Sequence, residues 1–308
     1  MSVGPAAWVG FVAFILACLA LDLGILRKEP RTPTLKGALG WTAVWVCVSL
    51  AFGAVVFRFM GREPAMNYLA GYLVEMSLSL DNIFVIAVVF QYFKIPPENQ
   101  HRLLFYGILG AQVLRGVMIG AGTALVRRFD WTMYVFGAVL LWTAWKMATA
   151  GDEEVHPEDN PVLALAKRYF PFTHESDGDR FTIRRGGRRL LTPMALALVV
   201  VETSDVIFAV DSIPAIFGIT TDPFVVFTSN VFAILGLRSL FFALTWLLAR
   251  FRYMKPAVVA VLGFVGVKML LAHALHISTE VSLGVIAGLL GLGVAASLAL
   301  THGEPRPG

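Results

Sequence analysis

The residues best suited to chemistry stand where a charge costs most. EMSLSLDNIFVI, residues 75–86, sets Glu75, Asp81 and Asn82 among Leu, Ile, Val, Phe, Met and Ser. VETSDVIFAVDSIPAIF, residues 201–217, sets Glu202, Asp205 and Asp211 in a second apolar run. An acid at the centre of a spanning helix costs about 2.5–3.5 kcal/mol on insertion scales. Five of them, unpaired and facing lipid, would cost roughly 12–18 kcal/mol, comparable to the whole stability of a domain. They must therefore face inward and be compensated. Carboxylates, an amide, hydroxyls and carbonyls are hard oxygen donors that suit Mg, Ca or Mn. Neither acidic run contains Cys or His, which argues against zinc and copper. Residue types alone do not separate manganese from calcium.

Spacing sharpens the picture. At about 100° per residue, Glu75, Ser79 and Asn82 share a helical stripe, with Ser77 and Asp81 on the next. Glu202, Asp205 and Ser212 share another, and a regular helix would turn Asp211 away from Glu202. Pro214 has no N–H for the carbonyl of Val210, which predicts a kink or break near Asp211 and freed carbonyl ligands. Arg115 and Arg238 are the candidate internal cations. They would neutralise only two acids, and Asp22 adds one more to balance. Lys146 and Lys268 lie nearer span ends, where they can snorkel. Protonation or a bound divalent cation must account for the rest, and the cation is the preferred reading, with some acids protonating in alternation with it.

The surrounding chain is built for a bilayer. It is 57% hydrophobic and 15% charged over 308 residues, with a mean hydropathy of +0.72; soluble domains carry about a quarter charged residues. Nine apolar stretches are long enough, or nearly so, to span a membrane: near 7–26, 39–59, 67–91, 103–126, 131–149, 191–218, 224–249, 256–274 and 281–300. The first lacks the basic start of a removable signal peptide. Summing Lys and Arg over alternate connections gives 18 against 4, which predicts the N-terminus outside and the C-terminus in the cytoplasm. Cys18 and Cys47 read as small buried hydrophobes, and the histidines as ordinary.

Three segments recur in order. AVLLWTAWKM (138–147) matches AVLGFVGVKM (260–269), GILG (107–110) matches AILG (233–236), and DNIFVIAV from Asp81 matches DVIFAV from Asp205. The offsets are nearly constant, so duplication explains them better than chance. Spans three to five then pair with spans six to eight, which start on opposite sides of the membrane. The expected fold is an all-α polytopic membrane protein of about nine helices with two inverted three-helix repeats, an architecture of secondary transporters. The predicted division is 1–66 for helices one and two, 67–149 for the first repeat, 150–190 for a cytoplasmic loop, 191–274 for the second repeat and 275–308 for the last helix and tail. In the loop, acidic GDEEVHPEDNP precedes basic RRGGRRL; it reads as a solvated anchor, or else as an ion or lipid-headgroup contact.

EMSLSLDNIFVI, QHRLLFYGILGAQVLRGVMI, VETSDVIFAVDSIPAIFGIT and TSNVFAILGLRSL together resemble the TerC family of integral membrane proteins over roughly residues 7–300. The resemblance implies a lysine-exporter-like superfamily member, a link to tellurium resistance, and Mn²⁺ export. It implies an ion site at Glu75, Asp81, Asn82, Glu202, Asp205 and Asp211, with Arg115, Asn230 and Arg238 as further polar positions; the helical stripes add Ser79 and Ser212 in support. RKEPRTPT (27–34) lacks a His that relatives often carry there. The expectation is a non-enzymatic exporter of a divalent cation, Mn²⁺ before Ca²⁺, working by alternating access with proton coupling. It would sit in a bacterial-type inner membrane, need no resident cofactor, contact membrane lipids and bind no nucleic acid. Homo-oligomers or stress-response partners are compatible with it. The rival readings are a membrane scaffold for metal or tellurite stress and an exporter of another small substrate such as an amino acid.

Overall fold

In the computed structural model, residues 4–26, 35–129, 131–149, 160–173, 178, 180–185, 187–244, 253–271 and 277–300 are described. Among the described residues each of the nine apolar stretches is mostly helical. They form α1 (Pro5–Leu26), α2 (Leu35–Met60), α3 (Arg62–Tyr92), α4 (Pro97–Arg128) and α5 (Thr132–Thr149). After a short α6 (Pro161–Tyr169) and a two-stranded sheet, β1 (Thr182–Arg185) and β2 (Arg188–Leu191), come α7 (Pro193–Phe217), α8 (Pro223–Leu235), α9 (Leu237–Leu244), α10 (Met254–Leu270) and α11 (Thr279–Leu300). Among the described residues four helices are long and apolar enough to cross a membrane, in α2, α4, α7 and α11. Large apolar side chains such as Leu50, Phe57, Val117, Trp142 and Leu292 stand exposed on the helices, as lipid-facing residues do.

The helix starts are written locally. Asn160, Thr192 and Asp222 each cap a helix with a side-chain oxygen that accepts from backbone N–H groups, and each is followed by proline at the first helical position. Three expectations need correction. The seventh span is two helices, interrupted at Gly236, whose missing side chain favours a turn over a continued helix. α7 runs unbroken through Pro214, because the proline falls in its last turn, where a single lost bond is tolerated. The connection at 150–190 is not simply a loop: α6 and the β-hairpin lie in it, while residues 150–159 fall outside the described ones, as do 27–34.

Helix senses follow from the contacts. As α3 numbers fall from Asn82 through Glu75 to Gly71, the α7 residues beside them rise from Asp205 through Ser212 to Ile216 in equal steps. α3 and α7 are antiparallel. α4 and α8 are antiparallel too, with Gln112 on Val231 and Gly116 on Phe227. At the α5–α10 crossing Gly137 faces Gly266 and Leu270, while Gly266 faces Leu141, again in opposite senses. There the backbones nearly touch: a Cβ on either glycine would lie 3.1 Å from the other's carbonyl oxygen. This is the close small-residue packing that membrane helices use in place of hydrophobic drive. Gly266→Val is therefore expected to destabilise the protein by about 1–3 kcal/mol, the usual cost of overpacking. Gly263→Ala, in open space on the same helix, serves as the silent control. Thermal unfolding of the two purified variants in detergent checks this; equal midpoints would refute the close crossing.

Candidate ion site around Arg115

α3 and α7 each bring one carboxylate to a single guanidinium on α4. Arg115 is 1% exposed and Glu75 is fully buried. The Arg115 Nε and Nη2 donate to the two oxygens of Asp205 at 3.1 and 2.8 Å, a bidentate fork. Its Nη1 donates to Glu75 Oε1 and, at 3.4 Å, to Ser212 Oγ. Asn82 donates from Nδ2 to Asp205 Oδ1 at 3.4 Å. One cation thus holds two acids, and with both ionised the cluster keeps a net negative charge.

Several buried polar atoms on α3, α7 and the neighbouring α8 have no hydrogen-bond partner: Glu75 Oε2, Ser79 Oγ, Asn82 Oδ1, Glu202 Oε2, and both amide atoms of Asn230. Each is an expensive position for an orphan. A small cavity of about 20 Å³ opens against Asn82 and Asp205, with Ala111, Ser204 and Phe208 among its walls. That is enough for one water-sized occupant. Oxygen atoms dominate the unpartnered set, so the donor chemistry fits a hard cation.

The other acids lie elsewhere. Glu202 fills the space a side chain would take at Gly110 of α4, one turn before Asp205. Asp211 turns to α5 and accepts a hydrogen bond from Thr143 Oγ1 at 2.7 Å. The uninterrupted helix explains the split: without a break at Pro214, Glu202 and Asp211 stay on different sides of α7. The side chains of Asp81 and Arg238, like that of Asp22, lie outside the described residues. Among the described residues no three Asp, Glu, His or Cys gather to ligate an ion; in this arrangement Arg115 occupies the centre. Sequence reasoning missed Thr143 and Gly110. Both sit inside the recurring segments, AVLLWTAWKM and GILG, and that recurrence was the available signal.

Residues 60–304 match the integral membrane protein TerC family. The chain belongs to the TerC family. Among its relatives, the membrane protein STKORF319 of Myxococcus xanthus is 50% identical over 99% of this chain and 96% of its own length. The "Putative membrane-bound redox modulator Alx" of Escherichia coli K12 is 45% identical over 93% of this chain and 92% of its own. Its Salmonella typhi counterpart is 43% identical over 97% and 95%. No solved structure matches significantly.

In this TerC-family chain Arg115 is the element whose removal should be felt most. Arg115→Ala leaves two buried carboxylates without a partner and is expected to cost about 3–5 kcal/mol. Combining it with Glu75→Gln and Asp205→Asn removes the stranded charges and should restore much of that loss. Unfolding midpoints of the single and triple variants in one detergent provide the comparison; a triple variant no more stable than Arg115→Ala would refute the electrostatic account.

Proposed function

We propose that this TerC-family protein is a secondary transporter that exports Mn²⁺ across a bacterial inner membrane, with its N-terminus outside and C-terminus in the cytoplasm. The observation that carries the reading is the meeting of Glu75 and Asp205, from antiparallel helices, on the same guanidinium. Helices matched by the sequence repeat cross in opposite senses in all three pairs, the relation that inverted units require. The ion site we assign centres on Glu75, Asn82 and Asp205 with Ser212, the groups that meet at Arg115; Glu202 and Asp211, on other faces of α7, would have to turn toward it in another state of the cycle.

Arg115 sets the energetics of such a cycle. With the ion absent, its guanidinium supplies the positive charge that Glu75 and Asp205 need. An arriving divalent cation competes for the same oxygens, and the fork must release at least one carboxylate to admit it. Carboxylates that discharge the metal outside can take up protons there, so inward proton movement is the drive we assign. Relatives named as redox modulators are compatible with this reading, because manganese is itself redox-active.

Cellular manganese content under manganese stress tests the proposal. Cells carrying the protein should hold several-fold less manganese than cells lacking it. Glu75→Gln and Asp205→Asn, at matched membrane abundance, should return the content to that of cells without the protein. Wild-type protein that leaves the content unchanged would sink the assignment. Protection that survives both substitutions would favour a scaffold instead.

A further inference from the structure

The buried cluster sits halfway along α7, and its two sides are closed differently. Asp205 is the middle residue of the 25-residue helix. α4 runs beside α7 in the same sense, since Gly107, Gly110 and Gly122 meet Val201, Glu202 and Phe217 in turn. Toward the shared start of the two helices lies the small cavity, with Leu104 and Val201 among its walls as well as Asn82 and Asp205. Toward their far ends an apolar layer stands instead. Ala209, Ile213 and Phe217 recur every four residues on one face of α7. They pack with Ile119 of α4 and Val226 of α8, and all five are buried. The layer begins one turn beyond Asp205 and ends at Phe217, about 18 Å from it along the axis.

Phe217 closes that layer. Its ring is wedged where Gly122 has no side chain: a Cβ there would lie 2.7 Å from Cε2 and 3.3 Å from Cζ. Phe217 is 1% exposed and meets the Phe136 ring of α5 at 5.8 Å. Three residues earlier, Pro214 has no N–H to offer the Val210 carbonyl, so α7 is a bond short just where helices kink. Past the proline the chain keeps its own bonds: Gly218 donates to Pro214 O at 2.9 Å and Thr220 to Ile216 O at 3.0 Å. A tilt of this last turn as a unit costs least at Pro214. The geometry points to Phe217 as the outer gate of the transport path, with Gly122 as its seat and Pro214 as its hinge. The role presupposes the export proposed above and its orientation, in which α7 ends outside. While the ring is seated, the cluster is shut off from the outside; withdrawal of Phe217 from Gly122 opens it.

Labelling of a reporter thiol tests this in the full chain, with Cys18 and Cys47 replaced by alanine. Ala209→Cys puts the thiol beneath the ring, at a fully buried position. A membrane-impermeant thiol reagent is added to right-side-out vesicles, so that it meets the outer face. Phe217→Ala should speed labelling at least about tenfold, a modest demand on the loss of a buried phenylalanine from a packed layer. Gly122→Leu, which fills the seat and displaces the ring, should act in the same direction, and Gly122→Ala takes its place if that variant does not fold. Leu103→Ala, an equally buried truncation of α4 outside the layer, should leave the rate unchanged. Labelling that ignores Phe217→Ala and the Gly122 substitutions, or that rises as much with Leu103→Ala, overturns the gate. So does an increase confined to inverted vesicles, where the reagent meets the opposite face. No manganese enters the labelling, so a failed gate leaves the export reading standing; that reading falls only on cellular manganese content.

Discussion

A guanidinium shared between two buried carboxylates is the constraint on which the rest of this molecule depends. Glu75, Asp205 and Arg115 come from three helices, so their pairing fixes how α3, α4 and α7 sit against one another. Alone, each charge would be intolerable at such depth. Together they are acceptable only in the geometry that satisfies the fork, which makes the cluster specify structure as much as stabilise it. It also leaves acceptors over: Glu75 Oε2 and Asn82 Oδ1 have no partner. A purely structural ion pair would be better finished than this one.

Close approach of the helices makes that geometry reachable. α4 offers Gly107, Gly110 and Gly122 to Val201, Glu202 and Phe217 of α7 in ascending order, so these two helices run in the same sense. Where α4 lacks a Cβ at Gly110, the carboxyl of Glu202 takes its place. Gly71 performs a similar service for α3, where a Cβ would lie 2.9 Å from Ser229 Oγ. Small residues on these faces let long polar side chains reach one another across short interhelical distances. Around them, aromatic contacts such as Phe52 with Phe232 and Trp8 with Phe224 tie α1 and α2 to α8. The first two helices thereby pack on α8 as well as on α3.

Membership of the TerC family and the buried acidic cluster bear on different questions. The family rests on similarity along the chain; what the chain does rests on its side chains. Glu75 and Asp205 give the core an affinity for positive charge, and Arg115 meets that affinity from within. A transported cation and this arginine would be alternatives for the same oxygens, so the site as described is a self-occupied one.

Much of this was legible in the sequence, for a definite reason. Hydropathy and helical period depend on neighbours within a turn or two, and these marked the apolar stretches that are helical among the described residues and the shared stripe of Glu75, Ser79 and Asn82. The need for compensation followed from composition alone, and Arg115 was a candidate before any geometry was known. Which acids it would bind was not legible, since that choice depends on how closely three distant segments approach. Only the folded chain assigns Asp205 and Glu75 to Arg115, gives Asp211 to Thr143, seats Glu202 in the gap at Gly110, breaks the seventh span at Gly236 and folds RFTIRRGGRRLLT into a hairpin. The partners of Asp205, Glu75, Asp211 and Glu202 depend on contacts many residues apart, and long-range contacts leave no periodic trace in the chain that makes them.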